Sequence, residues 1–408
     1  MRFGTLATLL AGVAGLVTSP LAAEPLTLND AIARSLSLSP QGAASAARIE
    51  ILEAARAAAD TRPAATIEGA VENIGTGGFD LVQVDATYNR RIERGGKRQA
   101  RIELAEGDIG IAQADALIRR LDLAKEVQAL YVEAQAATLK LELARSRVEI
   151  AQRLRVEVQR RVTDARDPLF AGTRAKTQLA EAKVDLELAE HALEAAKTRL
   201  SLLTGGEPEG FSIVTEGFLQ ASADRVESGD LSSIDLALFE ARRRRAGANY
   251  RLQQANAKSD PTVYAGPRLF GTGDVGVVAG VSFPLANRPL NQANVARAAA
   301  EQRQVEADLA LERFQQRRAV ALAAERVREA WHEAEAIQAK VVPGAEQTLR
   351  EVRAGYNRGG FTFLDVSTAQ SALHDARVRF VEALSEYHTA KVELDRLTGK
   401  FANLVGGN

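Results

Sequence analysis

Two stretches of the chain carry the same seven-residue pattern: LAEAKVDLELAEHALEAAKTRLSLLTG at residues 179–205 and LHDARVRFVEALSEYHTAKVELDRLTG at residues 373–399. In both, large side chains recur at every seventh position, and a second side chain, usually alanine, follows each of them three positions later. This spacing is typical of a coiled-coil seam whose alanines let helices approach closely. Because the stretches lie about 194 residues apart and both end in Leu-Thr-Gly, they predict one structural unit present twice.

Each half around these seams reads as a helix, two strands, a long helix and a shorter helix. The first half is predicted to have helices at 30–60, 95–164 and 172–204 and strands at 66–74 and 79–92. The second half is predicted to have helices at 232–259, 290–358 and 363–400 and strands at 262–270 and 274–285. The predicted segments are therefore a leader (1–23), a first repeat (24–204), a linker (205–231), a second repeat (232–400) and a C-terminal tail (401–408).

The two longest predicted helices cover about 70 residues each, or about 105 Å, which few globular domains could bury. The shorter helices match that length only when two of them stack end to end. We expect the helix at 172–204 to stack on the one at 232–259, and the helix at 363–400 to stack on the one at 30–60. This second stack would bring the two ends of the chain together.

The N-terminal segment is predicted to be a cleavable secretory signal. Arg2 precedes an uncharged run, the apolar stretch at 6–17 is too short to span a bilayer comfortably, and small residues lead to a predicted cut after Ala23. The alternative for this segment is a membrane anchor. No later stretch reaches the length of a transmembrane helix, so we expect the mature chain to leave the cytoplasm without one.

Composition excludes several classes of protein. The 52 basic and 53 acidic residues give a formal charge of −1, whereas nucleic-acid-binding proteins show a basic excess, so no nucleic-acid partner is expected. The chain has no cysteine, which excludes disulfides, thiolate metal sites, cysteine nucleophiles and an N-terminal cysteine lipid anchor. No nucleophilic triad, phosphate loop or zincin motif is present, so we expect no catalytic residue, no cofactor and no enzymatic activity.

Other polar and aromatic residues are interpreted as structural. The four histidines form no close metal-binding pair along the sequence, and we expect no bound metal; they are His191, His332, His374 and His388. The basic run at 242–245 is interpreted as a solvated surface or a salt-bridge network. Trp331 and Tyr356 are interpreted as helix-packing residues.

The predicted strands alternate apolar and polar side chains, as the strands of a transmembrane barrel do. The apolar side chains that we expect to face lipid are Val82, Val84, Tyr88, Val275, Val277, Val281 and Phe283. A half-buried soluble sheet would show the same alternation, but the secretory signal and the very long helices favour the membrane. Four strands cannot close a barrel, and lipid does not tolerate an open edge, so the chain must oligomerise. Two chains would supply eight strands with a filled interior, and three would supply twelve and leave room for a pore.

The second half also carries motifs specific enough to compare with known families. They are Pro343-Gly344-Ala345-Glu346-Gln347-Thr348-Leu349, Gly355-Tyr356, Gly359-Gly360, Phe363-Leu364-Asp365-Val366 with Ala369-Gln370, and Phe283-Pro284-Leu285; the opening Leu26-Thr27-Leu28-Asn29-Asp30-Ala31 fits as well. With these motifs the mature chain resembles the TolC-like outer membrane factors, the exit ducts of tripartite efflux and secretion systems. The resemblance implies a mainly α-helical fold with a small β part. A long TolC-like α-helical barrel would lie in the periplasm, and four β-strands per chain would contribute to a shared twelve-stranded transmembrane β-barrel in the Gram-negative outer membrane.

Gly95-Gly96-Lys97-Arg98, followed by Arg101, is most similar to the heavy-metal branch of that family, the CzcC and CusC types. The resemblance then implies a homotrimer in outer-membrane lipid that passively conducts divalent heavy-metal cations. Its partners would be a periplasmic adaptor (membrane fusion protein) and an inner-membrane pump of the RND type. Many members of this branch are anchored through a lipidated N-terminal cysteine; this chain has none, so its anchoring would rest on the barrel. The alternatives are a drug-efflux or type I secretion duct and, from another class, a periplasmic coiled-coil adaptor or interaction protein.

The breaks between long and short helices are expected to form the periplasmic tips, which the resemblance implies contact an adaptor. These tip residues are Arg166, Asp167, Pro168, Leu169, Phe170, Gly360, Phe361, Thr362, Phe363 and Leu364. If exposed, Leu169, Phe170, Phe363 and Leu364 would suit a helix-in-groove contact; the alternative is that they pin each turn onto its own hairpin. The charged residues there are candidates for a gate or selectivity ring, with solvated helix ends as the alternative: Asp164, Arg166, Asp167, Arg358 and Asp365.

Overall fold

The computed structural model describes residues 24–75, 77–220 and 232–406. The predicted secretory signal at 1–23, the second part of the predicted linker at 221–231 and the last residues of the predicted tail at 407–408 lie outside the described residues.

The described part of the chain consists of long helices and short strands. The helices are α1 (Leu28–Leu38), α2 (Pro40–Ala59), α3 (Lys97–Thr163), α4 (Leu169–Thr204), α5 (Ser233–Asn256), α6 (Arg288–Ala336), α7 (Val342–Asn357), α8 (Phe363–Thr398) and α9 (Ala402–Gly406). The strands are β1 (Glu24–Leu26), β2 (Thr66–Glu72), β3 (Gln83–Arg91), β4 (Phe211–Ile213), β5 (Thr262–Phe270) and β6 (Val275–Ser282). A π-helical turn, Ile337–Val341, joins α6 to α7, and a 3-10 turn, Phe79–Leu81, precedes β3.

Four of these strands form one antiparallel sheet in the order β2-β3-β5-β6. Each strand follows or leads into a helix, so the helices below the sheet keep the same order: α2 packs on α3, α3 on α5 and α5 on α6. Farther from the sheet, α4 and α8 pack on the remainder of α3, and α7 packs on α8. Because α3 has 67 residues, it runs for about 100 Å through both levels. The prediction of a mainly helical fold with a small four-stranded sheet is confirmed.

Both coiled-coil seams are buried. The seam of α4 buries Leu179, Ala182, Ala196 and Leu200, and the seam of α8 buries Leu373, Ala376, Ala383, Tyr387 and Leu394. The alanines let α3 lie close to α4 and α8 along the lower half of the molecule. The repeat found in the sequence therefore corresponds to two helical hairpins. One is α3–α4, and in the other α8 runs back along α7 and α6, where Tyr387 and Leu394 of its seam pack on α6.

Several predicted elements are interrupted or shorter. Ser39 and Pro40 divide the helix predicted at 30–60 into α1 and α2, because the residue before a proline is extended and proline suits the first helical turn. The helix predicted at 290–358 is interrupted by the π-helical turn just before Pro343, whose ring and missing N–H do not fit a regular α-helical turn. The strand predicted at 79–92 begins only at Gln83, because the 3-10 turn folds back over Gly271.

The predicted end-to-end stacking of the shorter helices has the wrong partners. α8 ends against the start of α5, where the backbone N–H of Ser232 donates to the carbonyl of Leu397 at 3.0 Å. α4 ends at Gly205, directly beside Leu38 at the junction of α1 and α2. The described part of the connection after α4 already leads to α8, because Phe218 packs against Leu384 and its carbonyl lies 2.8 Å from His388 Nε2.

The two ends of the described chain do meet, in a shared apolar cluster at the level where the helices stack. Leu26 and Ile32 pack in this cluster with Phe401 and Val405, and all four are buried. Next to it, β1 pairs in parallel with β4. Parts of the predicted tail and linker therefore belong to the packed core of the molecule.

Near the sheet, α3 and α5 approach each other at a glycine. A β-carbon added to Gly107 would lie 2.9 Å from both Cα and Cβ of Arg245. Arg245 itself forms an ion pair of 2.5 Å with Asp108 on α3. At least this member of the basic run at 242–245 therefore belongs to an inter-helix salt bridge.

Candidate functional site

The end of the molecule farthest from the sheet holds two helical turns, one in each hairpin. The turn between α3 and α4 passes through Ala165, which has a positive φ of 54°, and the turn between α7 and α8 passes through Gly359, with a φ of 81°. The start of α8 is fixed by a capping box, in which Thr362 and Asp365 each bond to the other's backbone N–H. The Thr362 hydroxyl and the Thr362 backbone N–H both donate to the Asp365 carboxylate, at 2.7 and 2.8 Å, and lower its pKa. The Asp365 carboxylate thus serves to cap its own helix.

A polar contact joins the two turns. The Asp167 Oδ2 accepts a hydrogen bond of 2.5 Å from the Tyr356 hydroxyl on α7 and one of 3.1 Å from the Arg161 guanidinium on α3. That guanidinium also lies over the Tyr356 ring, 4.0 Å from its centroid. Burial and the neighbouring carboxylate raise the pKa of Tyr356, so its hydroxyl stays protonated and keeps donating. We call Arg161, Asp167 and Tyr356 the tip lock.

An apolar cluster lies beside the tip lock. It contains Leu154 and Val158 of α3, Ala171 and Ala175 of α4, and Tyr356, Phe363 and Val366 of the second hairpin. The interpretation of Tyr356 as a packing residue is thus incomplete, because its hydroxyl bridges the hairpins as well. The pairing of Tyr356 with Asp167 was not detectable in the sequence, where the two residues lie 189 positions apart.

The predicted tip residues divide into exposed and buried sets. Leu169 is 83 % exposed and Phe170 69 %; Phe361 and Leu364 are also exposed, as are Arg166, Pro168, Gly360 and Thr362. The expectation that Phe363 is exposed is wrong: only 4 % of it is accessible, because the first residue of α8 points into the cluster between the hairpins. Four apolar side chains of the tip therefore remain on its surface: Leu169, Phe170, Phe361 and Leu364.

The charged residues predicted as a gate also divide. Asp167 is engaged in the tip lock and Asp365 in the capping box. Asp164, Arg166 and Arg358 are exposed and form no ion pair with any described residue of this chain. These three would be available to a second copy of the chain at the tip.

α7 buries few of its own residues. Only Gly355 and Tyr356 of its residues are buried. It packs on α8, and it reaches the α3–α4 hairpin through Val352 and Tyr356 at its lower end. Its upper end joins α6 at the π-helical turn, a feature that often marks functional positions in helices.

At the opposite end of the molecule, the sheet has one wholly apolar stretch of exposed surface. Cross-strand pairs on this face join Val71 to Val84, Val84 to Leu269, and Leu269 to Val275. Val277 and Val275 are 83 % and 70 % exposed. Of the side chains predicted to face lipid, Val84, Tyr88, Val275, Val277 and Val281 lie exposed on this face, Phe283 is exposed just beyond β6, and Val82 is half-buried in the turn before β3.

The other face of the sheet is polar. Arg268 on β5 donates to Gln83 at 3.1 Å and forms an ion pair of 3.4 Å with Asp85, both on β3. Tyr264 and Phe270 lie across Gly280 and Gly276 of β6, where a β-carbon would collide with their rings. Because the rings occupy space that a side chain on these glycines would fill, they project less from this face of the sheet. This would suit the wall of a water-filled passage.

Both levels of the molecule have open edges on the same two sides. In the sheet, β2 and β6 each lack a partner on one side among the described strands. Below the sheet, α2 and α6 are the outer helices, and α2 has no buried residue. Because the two edges differ, a second copy would join head to tail, which generates a closed ring when the rotation closes.

Metal-binding and membrane-spanning features were sought across the described residues. There, no three His, Asp or Glu side chains come close enough together to hold a metal ion. Among the helices of the same ranges, none combines the length and apolarity that a bilayer span requires.

The chain is similar in sequence to known proteins. The family model described as outer membrane efflux protein matches residues 230–400. Cobalt-zinc-cadmium resistance protein CzcC of Cupriavidus metallidurans is 27 % identical over 325 residues, which cover 77 % of each chain. Nickel and cobalt resistance protein CnrC of the same species is 28 % identical over 283 residues, 67 % of this chain and 68 % of its own.

Solved structures share the fold over nearly the whole chain. The outer membrane protein VceC of Vibrio cholerae superposes with a TM-score of 0.71 at 18 % identity, covering 91 % of this chain and 96 % of its own. The transmembrane channel protein CusC superposes with a TM-score of 0.71 at 16 % identity, covering 91 % of both chains. Residues 230–400 thus match the outer membrane efflux protein family, and the described chain has the fold of the TolC-like outer membrane factors that its sequence resembles.

Proposed function

We propose that this chain is one subunit of a homotrimeric outer-membrane duct that conducts divalent heavy-metal cations out of the periplasm. The observation that carries the proposal is the sheet, which is exposed and apolar on one face, polar on the other and open at both edges. Such a sheet suits lipid on one side and water on the other once its edges are closed. Below the sheet, the helices pack side by side in the same order as the strands to which they connect. They would extend the passage by about 100 Å.

The trimer follows from the number of strands. Each chain offers four strands in one sheet, fewer than the eight or so of the smallest membrane barrels. Pairing β2 of one copy with β6 of the next would give twelve strands in a trimer, wide enough for a pore. The same rotation would set α2 of one copy against α6 of the next.

The tip would be the gate of this duct. With the tip lock formed, the second hairpin is tied to the first, which favours a closed end. The exposed apolar side chains Leu169, Phe170, Phe361 and Leu364 would receive the helical hairpin of a periplasmic adaptor. An inner-membrane pump, of the RND type by resemblance, would supply the cargo, and this chain would act as a passive conduit in the outer membrane.

Heavy-metal cations are the proposed cargo because two relatives that match most of the chain are named for resistance to cobalt, zinc, cadmium and nickel. The Gly95-Gly96-Lys97-Arg98 stretch agrees with that branch. Conduction does not require a tight binding site, since ions must leave as readily as they enter.

Fractionation tests the architecture. Cells producing the full-length protein would be separated into soluble, inner-membrane and outer-membrane fractions, and the outer membranes washed at high salt. A duct stays in the washed membranes and migrates as a trimer on native gels. Recovery in the soluble fraction would instead support the periplasmic adaptor alternative.

Growth of a deletion strain tests the cargo. The strain, with and without a plasmid copy, would be grown on zinc, cobalt, cadmium, nickel and copper salts beside detergents, dyes and antibiotics. Sensitivity confined to divalent metals supports the proposal. Sensitivity confined to organic compounds would make the protein a drug-efflux duct and leave its architecture unchanged.

A further inference from the structure

A set of unpaired basic side chains lies where the sheet joins the helices. All are exposed, and none forms a hydrogen bond or ion pair through its side chain with a described residue; they are Arg62, Arg90, Arg94, Lys258 and Arg288. Three lie in the connections next to β2, β3 and β5, one lies at the end of β3 and one is the first residue of α6, so they lie at one level of the molecule. We call this set the basic girdle.

The acidic residues at that level do not neutralise the girdle, because other basic residues already occupy them. Asp60 pairs with Arg98 at 2.6 Å, and Glu93 pairs with Arg101. Asp260, almost wholly buried, accepts from Lys97 at 2.8 Å and from Arg91 at 2.9 Å. The girdle thus presents an uncompensated positive charge to its surroundings.

The girdle borders the apolar face of the sheet. By strand register Arg90 lies on that face: it pairs with Val263, which pairs with Val281, and it is two positions from Tyr88. It is the one charged side chain among the described residues of that face within β2, β3, β5 and β6. Phe283 and Leu285, exposed at the same end, add apolar surface beside it.

We propose that the basic girdle binds the phosphates of anionic phospholipids in the periplasmic leaflet of the outer membrane. The inference rests on the proposed function, which places the apolar face in lipid. Arginine and lysine at such a boundary keep their stems along apolar surface while the charged ends reach the headgroups. Phosphate oxygens are strong acceptors for them, and the aromatic side chains beside them suit the same interface. The girdle would fix the depth at which the sheet sits in the bilayer.

Native mass spectrometry of the full-length protein tests this proposal. Detergent-solubilised protein would be mixed with phosphatidylglycerol or, separately, with phosphatidylethanolamine, and the lipids retained per trimer counted. Wild type is expected to retain phosphatidylglycerol in preference. Each girdle residue changed to glutamine should weaken that retention about fivefold, and added salt should weaken it in wild type but not in the variant lacking all five charges.

The matched control removes the same number of unpaired, exposed charges from the helical part of the chain, at Arg119, Arg174, Lys176, Lys183 and Arg353. Equal phosphatidylglycerol retention by girdle and control variants would overturn the inference. A girdle variant that loses the trimer but retains lipid would assign the girdle to contacts between subunits, which also overturns it. A monomeric wild-type protein in the same spectra would instead count against the proposed function, so the two failures are distinguishable.

Discussion

The Tyr356 hydroxyl of α7 donates a 2.5 Å hydrogen bond to the carboxylate of Asp167 in the turn between α3 and α4. This bond crosses from one helical hairpin to the other at the far end of the molecule. It is the polar part of the contact between the two tips, beside the apolar cluster of Phe363 and Val366 with the first hairpin.

Replacing the tyrosine by phenylalanine should therefore open the tip. A hydrogen bond to a charged group contributes about 1.5–3 kcal/mol, so Tyr356→Phe should shift the closed-to-open equilibrium about ten- to hundredfold. Conductance of single trimers in planar bilayers measures the shift. Tyr131→Phe is the control, because that hydroxyl donates to the Leu26 carbonyl at 2.8 Å in the central cluster, far from the tip. Equal conductance of the two variants would contradict the tip lock.

Asp260 should be essential to the junction of sheet and helices. Its carboxylate is buried and holds Lys97, Arg91 and the backbone N–H of Arg94, so Asp260→Ala should cost about 3–5 kcal/mol by leaving buried charge uncompensated. Asp60→Ala, which breaks a half-exposed pair with Arg98, should cost about 0–1 kcal/mol. Thermal unfolding of the detergent-solubilised protein measures both losses. Similar losses of stability in the two variants would show that the buried carboxylate of Asp260 stabilises the fold no more than the half-exposed one of Asp60.

The same carboxylate makes stability depend on pH. Burial alone would raise the pKa of Asp260, but the hydrogen bonds and charges of Lys97, Arg94 and Arg91 outweigh it and lower the pKa below its ordinary 3.8. The folded state therefore binds fewer protons than the unfolded state in this range. The stabilisation is complete above pH 3.8 and is lost as the pH falls through the lowered folded-state pKa. Melting temperatures of wild type and Asp260→Asn should converge at acid pH; a constant difference would refute the assignment.

Gly107 should tolerate no side chain. Gly107→Ala places a methyl group 2.9 Å from the backbone of Arg245, which forces α3 and α5 apart and should cost about 1–3 kcal/mol as overpacking. Gly42→Ala in α2 meets no atom within 4 Å and should stabilise by about 0.5–1 kcal/mol, because alanine favours the helix. Melting temperatures of the two variants should therefore move in opposite directions, and a shift in the same direction would be inconsistent with close packing at Gly107.

Val277 and Val278 are neighbours on opposite faces of β6. Val277→Arg would place a charge on the apolar face and should cost about 2–4 kcal/mol if that face meets lipid near the bilayer centre. Val278→Arg on the polar face should be tolerated better, because its guanidinium can stay in water. The yield of trimer in washed outer membranes compares them. Equal yields would place both faces in the same surroundings and count against the membrane assignment.

Substitutions at the exposed tip should lower metal resistance without changing stability or trimer formation. Leu169→Ser combined with Phe170→Ser removes two side chains that are 83 % and 69 % exposed, so stability and trimer formation should hardly change. If the tip receives an adaptor, metal resistance should fall to that of the deletion strain. Leu188→Ser, an exposed position higher on α4, should leave resistance intact. Full resistance of the double variant would assign adaptor contact to another surface.

Sequence periodicity was enough to predict the helices and strands whose contacts repeat regularly along the chain. The seam through Leu179 and Leu200 predicted a buried coiled coil, because side chains seven positions apart face the same neighbouring helix. The alternation from Val275 to Val281 likewise predicted an apolar face. Both signals repeat along the chain and do not depend on distant contacts.

Features set by long-range contacts escaped prediction. The exchange of stacking partners depends on where Ser232 meets Leu397, a contact that no local pattern records. Phe363 was predicted to be a residue of the adaptor-contacting tip, whereas it is buried against Val158 and Ala171 of the first hairpin. The pairing of Tyr356 with Asp167 has the same origin, since it joins residues 189 positions apart.

The π-helical turn above α7 has a mechanical consequence. α7 has 16 residues and is about 24 Å long; it follows the π-helical turn Ile337–Val341, packs on α8 and contacts the first hairpin only near its lower end. A small change of direction at the π-helical turn would therefore displace the lower end of α7 by a larger distance. The contacts with the first hairpin that such a displacement would break lie in a few side chains around Tyr356.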